Sequence, residues 1–234
     1  MNKLIKYVTA LLAIIAMASF TQVHAQKCGG QPGERHENGG GFVAYTAHAD
    51  STAFVGKRAQ VCDYATVRHN AHVEDRAIVR GRALVRENAW VFGNAIVKGN
   101  AWVVENAWVG DYAIMQGSAA AGMNCTVTGN ARMWGKSSCH GYAKIAGNAL
   151  IKQNASVEDN ATVRGNAIVS GGSRITCNGL VKGHARIMTS IGSVSCGGVV
   201  KDRARTVGAA KVYNATICGN AVVSEEWPKG TIGC

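Results

Sequence analysis

Apolar residues recur along this chain with a period of six, in pairs of slots two residues apart. From Gly41 to Ala185 every sixth residue is alanine, except at Gly41, Cys125, Ser137, Ser173 and Gly179. Two residues further on lies a second slot, from Val43 to Ile187. It holds valine or isoleucine except at Ala49, Met115, Ala121, Met133 and Cys139. The unit is clearest in Gly93-Asn94-Ala95-Ile96-Val97-Lys98-Gly99-Asn100. Apolar slots two apart mean a short strand with Ala and Val on the same side. Gly-Asn marks a turn, because these residues tolerate a left-handed backbone. A six-residue strand–turn unit cannot bury its own face, so the units must stack as coils around one shared core. Three units per coil form a triangular prism, and small alanine beside valine suits its narrow interior.

This A-x-V-x-G-N unit resembles that of the bacterial hexapeptide-repeat proteins of the GNAxV type. The resemblance covers Gly41 to about Val223. It implies an all-β fold, a single-stranded left-handed parallel β-helix or solenoid of roughly ten 18-residue coils. The handedness comes from the resemblance, since ordinary crossover connections are right-handed. The resemblance also implies that the Asn just before the Ala slot takes the left-handed turn conformation. The register slips twice: one residue is inserted between Ala185 and Gly192, and one is missing between Ala210 and Ala215. Both prolines, Pro32 and Pro228, lie outside the repeats. The expected organisation is a signal peptide at 1–25, an N-terminal cap at 26–40, the repeats at 41–223 and a C-terminal cap at 224–234.

In such a coil, residues i and i+18 stack, and sequence becomes surface columns. One outward column reads Phe54, His72, Trp90, Trp108, with Phe92 beside it. Stacked aromatics of this kind suit a sugar ring or a subunit contact. A second reads Ile78, Ile96, Ile114, Arg132, Leu150, Ile168. A soluble monomer rarely leaves such a line bare, so homo-oligomerisation is expected there unless a cap or Arg and Lys stems cover it. The third column, from Thr66 through Leu84 and Trp102 to Arg174, is mixed. At one corner run Asn70, Asn88, Asn106 and Asn124, an asparagine ladder.

Residues 1–25 read as a secretory signal, with Lys3 and Lys6 before an apolar stretch and Val23-His24-Ala25 at the cleavage site. The expectation is export to the periplasm or beyond the cell, with no membrane span in the mature chain. The eight cysteines all follow that signal, and an even count in an exported chain reads as disulfides. Cys177 and Cys196 fall in the same slot on successive coils once the insertion is counted. Cys125 and Cys139 fill inward slots across a nearby corner. Cys218–Cys234 and Cys28–Cys62 would then pin the two ends.

The chain carries a formal net charge of +11. Basic residues align at the coil period: Arg58 under Arg76, Arg68 under Arg86, Arg80 under Lys98. Like charges so close need an anionic neighbour or solvent. Outside the cytoplasm the partners would be acidic glycans, lipopolysaccharide or another envelope component. Nucleic acid has no recognition motif to support it.

Catalysis is weakly indicated. A hexapeptide-type acyltransferase, the alternative that the resemblance implies, uses a histidine base framed by a loop leaving the coil. Here the largest insertion in the repeats is one residue. Zinc carbonic anhydrase chemistry needs three converging histidines, and only His69 and His72 are neighbours. An ice-binding face needs an ordered threonine array, whereas Thr66, Thr126 and Thr162 are scattered. No metal or cofactor motif stands out. The sequence therefore reads as an exported structural, adhesive or envelope-associated binding protein, not as an enzyme.

Overall fold

The computed structural model describes residues 27–224, 228 and 230–234. The expected signal peptide, the first residue of the expected N-terminal cap and residues 225–227 and 229 of the C-terminal one lie outside the described residues.

Each six-residue unit forms a two-residue strand and a turn. Strands one coil apart pair in parallel with an offset of eighteen residues, as in Trp90↔Trp108, Ile96↔Ile114 and Trp102↔Ala120. The result is a parallel β-solenoid whose three sheets have 12, 11 and 10 strands among the described residues. They are called here the isoleucine, aromatic and mixed faces, after the residues that point outward. A strand of two residues suffices because the stack supplies what its length lacks: Ile96 donates to the Ala113 carbonyl and Lys98 to that of Met115, both at 2.9 Å.

Both inward slots are sealed. In these two slots the alanines and valines from Ala53 to Ala185 are fully buried, and they merge into one continuous core. Volume is balanced within a coil. Where the inward residue of the isoleucine face enlarges to Met115 or Met133, the next inward residue shrinks to Ala121 or Cys139.

The turn differs from the expectation in one respect. Along the regular repeats the left-handed residue is not the Asn before the Ala slot but the residue before that Asn; at the shortened unit Asn214, just before Ala215, takes the expected conformation with φ +45°. Gly93 has φ +68° and Gly99 φ +73°, and where glycine is absent Asp75, Glu87 or Asp111 takes the same conformation. Glycine is frequent at this position because positive φ costs it least and because room toward the next coil is short. The Cβ of this residue points at the backbone of the next coil; at Gly93 a methyl would sit 2.9 Å from the Asp111 nitrogen. Asn comes next, with its side chain free to bond along the rod. Asn88 donates to Asn106 at 3.3 Å on one corner, and Asn130, Asn148 and Asn166 form a second ladder at 3.1 and 2.9 Å.

The inserted residue widens one corner of the coil. Three successive strands, Ile168–Gly171, Arg186–Thr189 and Arg205–Gly208, pair over four residues instead of two. Thr189 turns inward there, and its hydroxyl lies 2.7 Å from that of Ser173 and accepts from the Gly192 N–H at 3.0 Å. The stacking offset becomes nineteen at Arg174↔Ser193 and seventeen at Val199↔Thr216.

At the N-terminal end Gly33–Arg35 runs antiparallel to Phe42–Ala44, reversing the direction of the first sheet edge. Four disulfides close the molecule: Cys28–Cys62, Cys125–Cys139, Cys177–Cys196 and Cys218–Cys234, with Cα–Cα distances of 5.3, 5.9, 4.9 and 5.1 Å. No helix among the described residues is long and apolar enough to cross a membrane.

Candidate binding faces

The aromatic column is built by register alone, because residues eighteen apart meet on neighbouring strands. The ring centroids of Phe54 and His72 are 5.5 Å apart, those of His72 and Trp90 4.9 Å, and those of Trp90 and Trp108 5.3 Å with an interplanar angle of 8°. His72 is held in place by Glu74, whose Oε1 lies 2.8 Å from Nδ1. Phe92 meets Trp108 edge-on at 6.1 Å. It lies over Gly110, where a methyl group would fall 2.1 Å from the ring.

This stacking decides which ring can receive a ligand. Both faces of Trp90 are taken, by His72 and Trp108. Phe54 is covered from below by Gly39, where a methyl would come 3.0 Å from the ring. Trp108 is 46% exposed, and Thr126 follows it in the column. The open ring of the strip is therefore Trp108, and the others support it. Trp102, 51% exposed, stands alone on the mixed face between Leu84 and Ala120.

The basic residues do not form one patch with the aromatics. Arg58 and Arg76 line a groove of about 840 Å³ at one end of the isoleucine face, together with Arg35, Lys57, Gln60 and Ile78. Arg35 is fixed there by the Gly40 and Lys57 carbonyls at 2.9 and 3.1 Å. Arg80 and Lys98 follow the strands of the same face, and Arg80 reaches Asp63 at 3.4 Å. Arg68 and Arg86 sit at a different corner, between the mixed and aromatic faces, where Arg86 lies 3.6 Å from Glu87. Ile78, Ile96, Ile114, Leu150 and Ile168 are half-buried, not bare.

The acidic residues have a role that their turn positions alone did not disclose. At the left-handed position an Asp or Glu side chain reaches up the rod and accepts the backbone N–H of the next coil. Asp63 holds Gly81 at 2.8 Å, Asp75 holds Gly93 at 3.1 Å, Asp111 holds Gly129 at 2.8 Å and Asp159 holds Cys177 at 3.0 Å. Glu87 likewise holds Glu105, and Glu105 holds Met123. The legible signal was a carboxylate or glycine recurring two residues before the Ala slot.

These bonds favour the charged form. The backbone bond from His69 holds the Asp50 carboxyl below its ordinary value against partial burial. Burial of Asp63 opposes ionisation, but the Gly81 and Gln31 bonds and Arg80 outweigh it, so its pKa is also lowered. The Thr176 hydroxyl and then the Cys177 N–H lower Asp159. A depressed carboxyl stabilises the fold above its unfolded pKa of about 4, and that contribution is lost as pH falls through the folded value. Urea unfolding is expected to give a flat stability from pH 7 to about 5 and a decline below about pH 4. Asp63→Asn/Asp159→Asn keeps acceptor oxygens without the charge and should flatten that decline. An unchanged acid profile in the variant would show that the hooks are not its source.

Among the described residues no group of three His, Cys, Asp or Glu is placed to hold a metal ion. His69 is a left-handed turn residue whose N–H donates to Asp50, and His72 belongs to the ring column. In comparisons with known proteins, no family model and no curated protein matches this chain.

Proposed function

We propose that this chain is an exported, disulfide-stapled β-solenoid that works by surface contact as a structural or adhesive protein of the cell envelope. The resemblance to hexapeptide-repeat proteins, with the left-handed winding it implies, belongs to this reading, as do export and the absence of catalysis. Four disulfides and a core of repeated Ala and Val support it, because both favour a rigid display surface over a moving pocket.

The observation that carries the contact surface is the ring stack that leaves Trp108 its most exposed member, at 46%. A stacked, half-exposed indole presents a rigid π-face to the C–H side of a sugar ring, at little cost in side-chain entropy. Envelope glycans are the ligand class of this reading.

Trp108→Ala is expected to remove most glycan binding on an immobilised glycan panel, whereas Trp90→Ala weakens it through loss of support. Both substitutions lie outside the core, so thermal unfolding should stay within about 1 kcal/mol of the parent. Equal glycan retention by the parent and the Trp90→Ala/Trp108→Ala chain would remove this site. Retention of coenzyme A by the purified chain, or hydrolysis of its thioesters, would instead favour the acyltransferase alternative.

A further inference from the structure

The isoleucine face differs from the other two in its charge. From Gln60 to Arg205 its outward column and the residues flanking those strands contain no carboxylate, whereas Glu74 flanks the aromatic face and Glu158 the mixed one; Glu34, on the added strand Gly33–Arg35, is the one acid in its strands among the described residues. The acids in the adjoining corners, Asp63, Asp75, Asp111 and Asp202, are tied to backbone N–H groups. Cations sit at both ends. Arg35, Lys57, Arg58 and Arg76 line the groove at one end. At the other, His184, Arg186, Arg203 and Arg205 line a smaller one of about 180 Å³, and Arg186 pairs directly with Arg205. Between them runs the half-buried line of Ile96, Ile114, Leu150 and Ile168, broken only by exposed Arg132.

A second copy is the wrong occupant for this face. A twofold contact brings the two ends of one rod onto the opposite or the same ends of the other. Both ends are basic, so either arrangement sets arginine against arginine, and the one carboxylate in the strands of this face among the described residues, Glu34, sits at one end only. Arg58, Arg76 and Lys57 have no carboxylate within ion-pair distance among the described residues. What complements cations around an apolar line is a surface that is anionic outside and apolar just beneath. We propose that the isoleucine face docks on a lipid surface bearing anionic phosphate head groups. The arginines and lysines meet the phosphates, and the isoleucine line settles at the boundary of the acyl region. This surface is separate from the Trp108 site and does not rest on it.

The test is flotation of the purified, oxidised chain with vesicles of phosphatidylcholine, alone or mixed with phosphatidylglycerol. Binding is expected only to the mixed vesicles and should weaken as salt rises. Arg58→Glu/Arg76→Glu should lower partition by about tenfold or more, as removing charges at an anionic surface does. Lys144→Glu/Arg164→Glu, the same charge change on exposed residues of the aromatic face, should lower it much less. Ile96→Ser/Ile114→Ser should weaken binding with the charge unchanged, and Trp108→Ala should leave it intact. Equal losses from the two charge-reversed pairs would mean adsorption by net charge alone and would overturn the proposal. So would full displacement by millimolar inorganic phosphate, which identifies a free-ion site. A dimer in solution that Ile96→Ser/Ile114→Ser splits, without vesicle binding, would assign the face to a second copy.

Discussion

Cys125→Ala/Cys139→Val is expected to lose about 3 kcal/mol of unfolding free energy, the loop-entropy value for a ring of this size. The two cysteines are fully buried, sit 5.9 Å apart at Cα and are separated by 14 residues. The bridge joins the turn before Thr126 to the strand Ser138–Cys139, which lies in the next coil and pairs with Ala120–Ala121. It thus staples two successive coils in a fold whose coils touch only their neighbours, where local fraying is the natural route to unfolding. Alanine and valine are the ordinary occupants of these two slots, so the cavity cost is small and the loss reports the cross-link. Cys125→Ser/Cys139→Ser should lose more, because each buried hydroxyl without a partner adds about 1–3 kcal/mol. Urea titrations of the three chains check the order. A parent-like Ala/Val variant would show that the bridge contributes nothing to stability.

Restoring alanine to the repeat should have opposite effects at two positions. Ser137 occupies an Ala slot, is fully buried, and its Oγ has no partner. Ser137→Ala removes an orphaned hydroxyl and is expected to stabilise by about 1 kcal/mol. Gly198 also stands where alanine is usual, at the corner bridged by Cys177–Cys196. There a methyl group would lie 2.3 Å from the Val212 carbonyl oxygen, and the same slot one coil earlier, Gly179, would place it 2.4 Å from the Val194 oxygen. Backbone cannot yield as a side-chain tip can. Gly198→Ala should therefore cost about 2 kcal/mol or more. The gain from a stiffer unfolded chain, at most about 1 kcal/mol, does not offset it. Thermal unfolding of the two single variants measures both signs. A stabilised Gly198→Ala chain would mean that this corner relaxes freely.

The candidate surfaces were partly legible. The ring column, the isoleucine line and the aligned arginines all follow from counting eighteen residues along the chain. What counting could not supply was which ring stays open, since that depends on Gly39 below Phe54 and on the mutual cover of His72, Trp90 and Trp108. Nor could it reveal that Arg58 and Arg76 share a groove with Arg35, because Arg35 arrives on a strand outside the repeat that pairs antiparallel to it.

Periodicity by itself determined that this protein is a stacked all-β coil, which two slots face inward, and which residues share a column. Those properties depend only on spacing, and every coil repeats the spacing. The tertiary structure alone decided that the left-handed residue is the one before Asn, that Asp and Glu hook successive coils, and that Gly198 tolerates no methyl. Each of these turns on how a residue meets the backbone one coil away. That meeting does not exist until the coils have stacked.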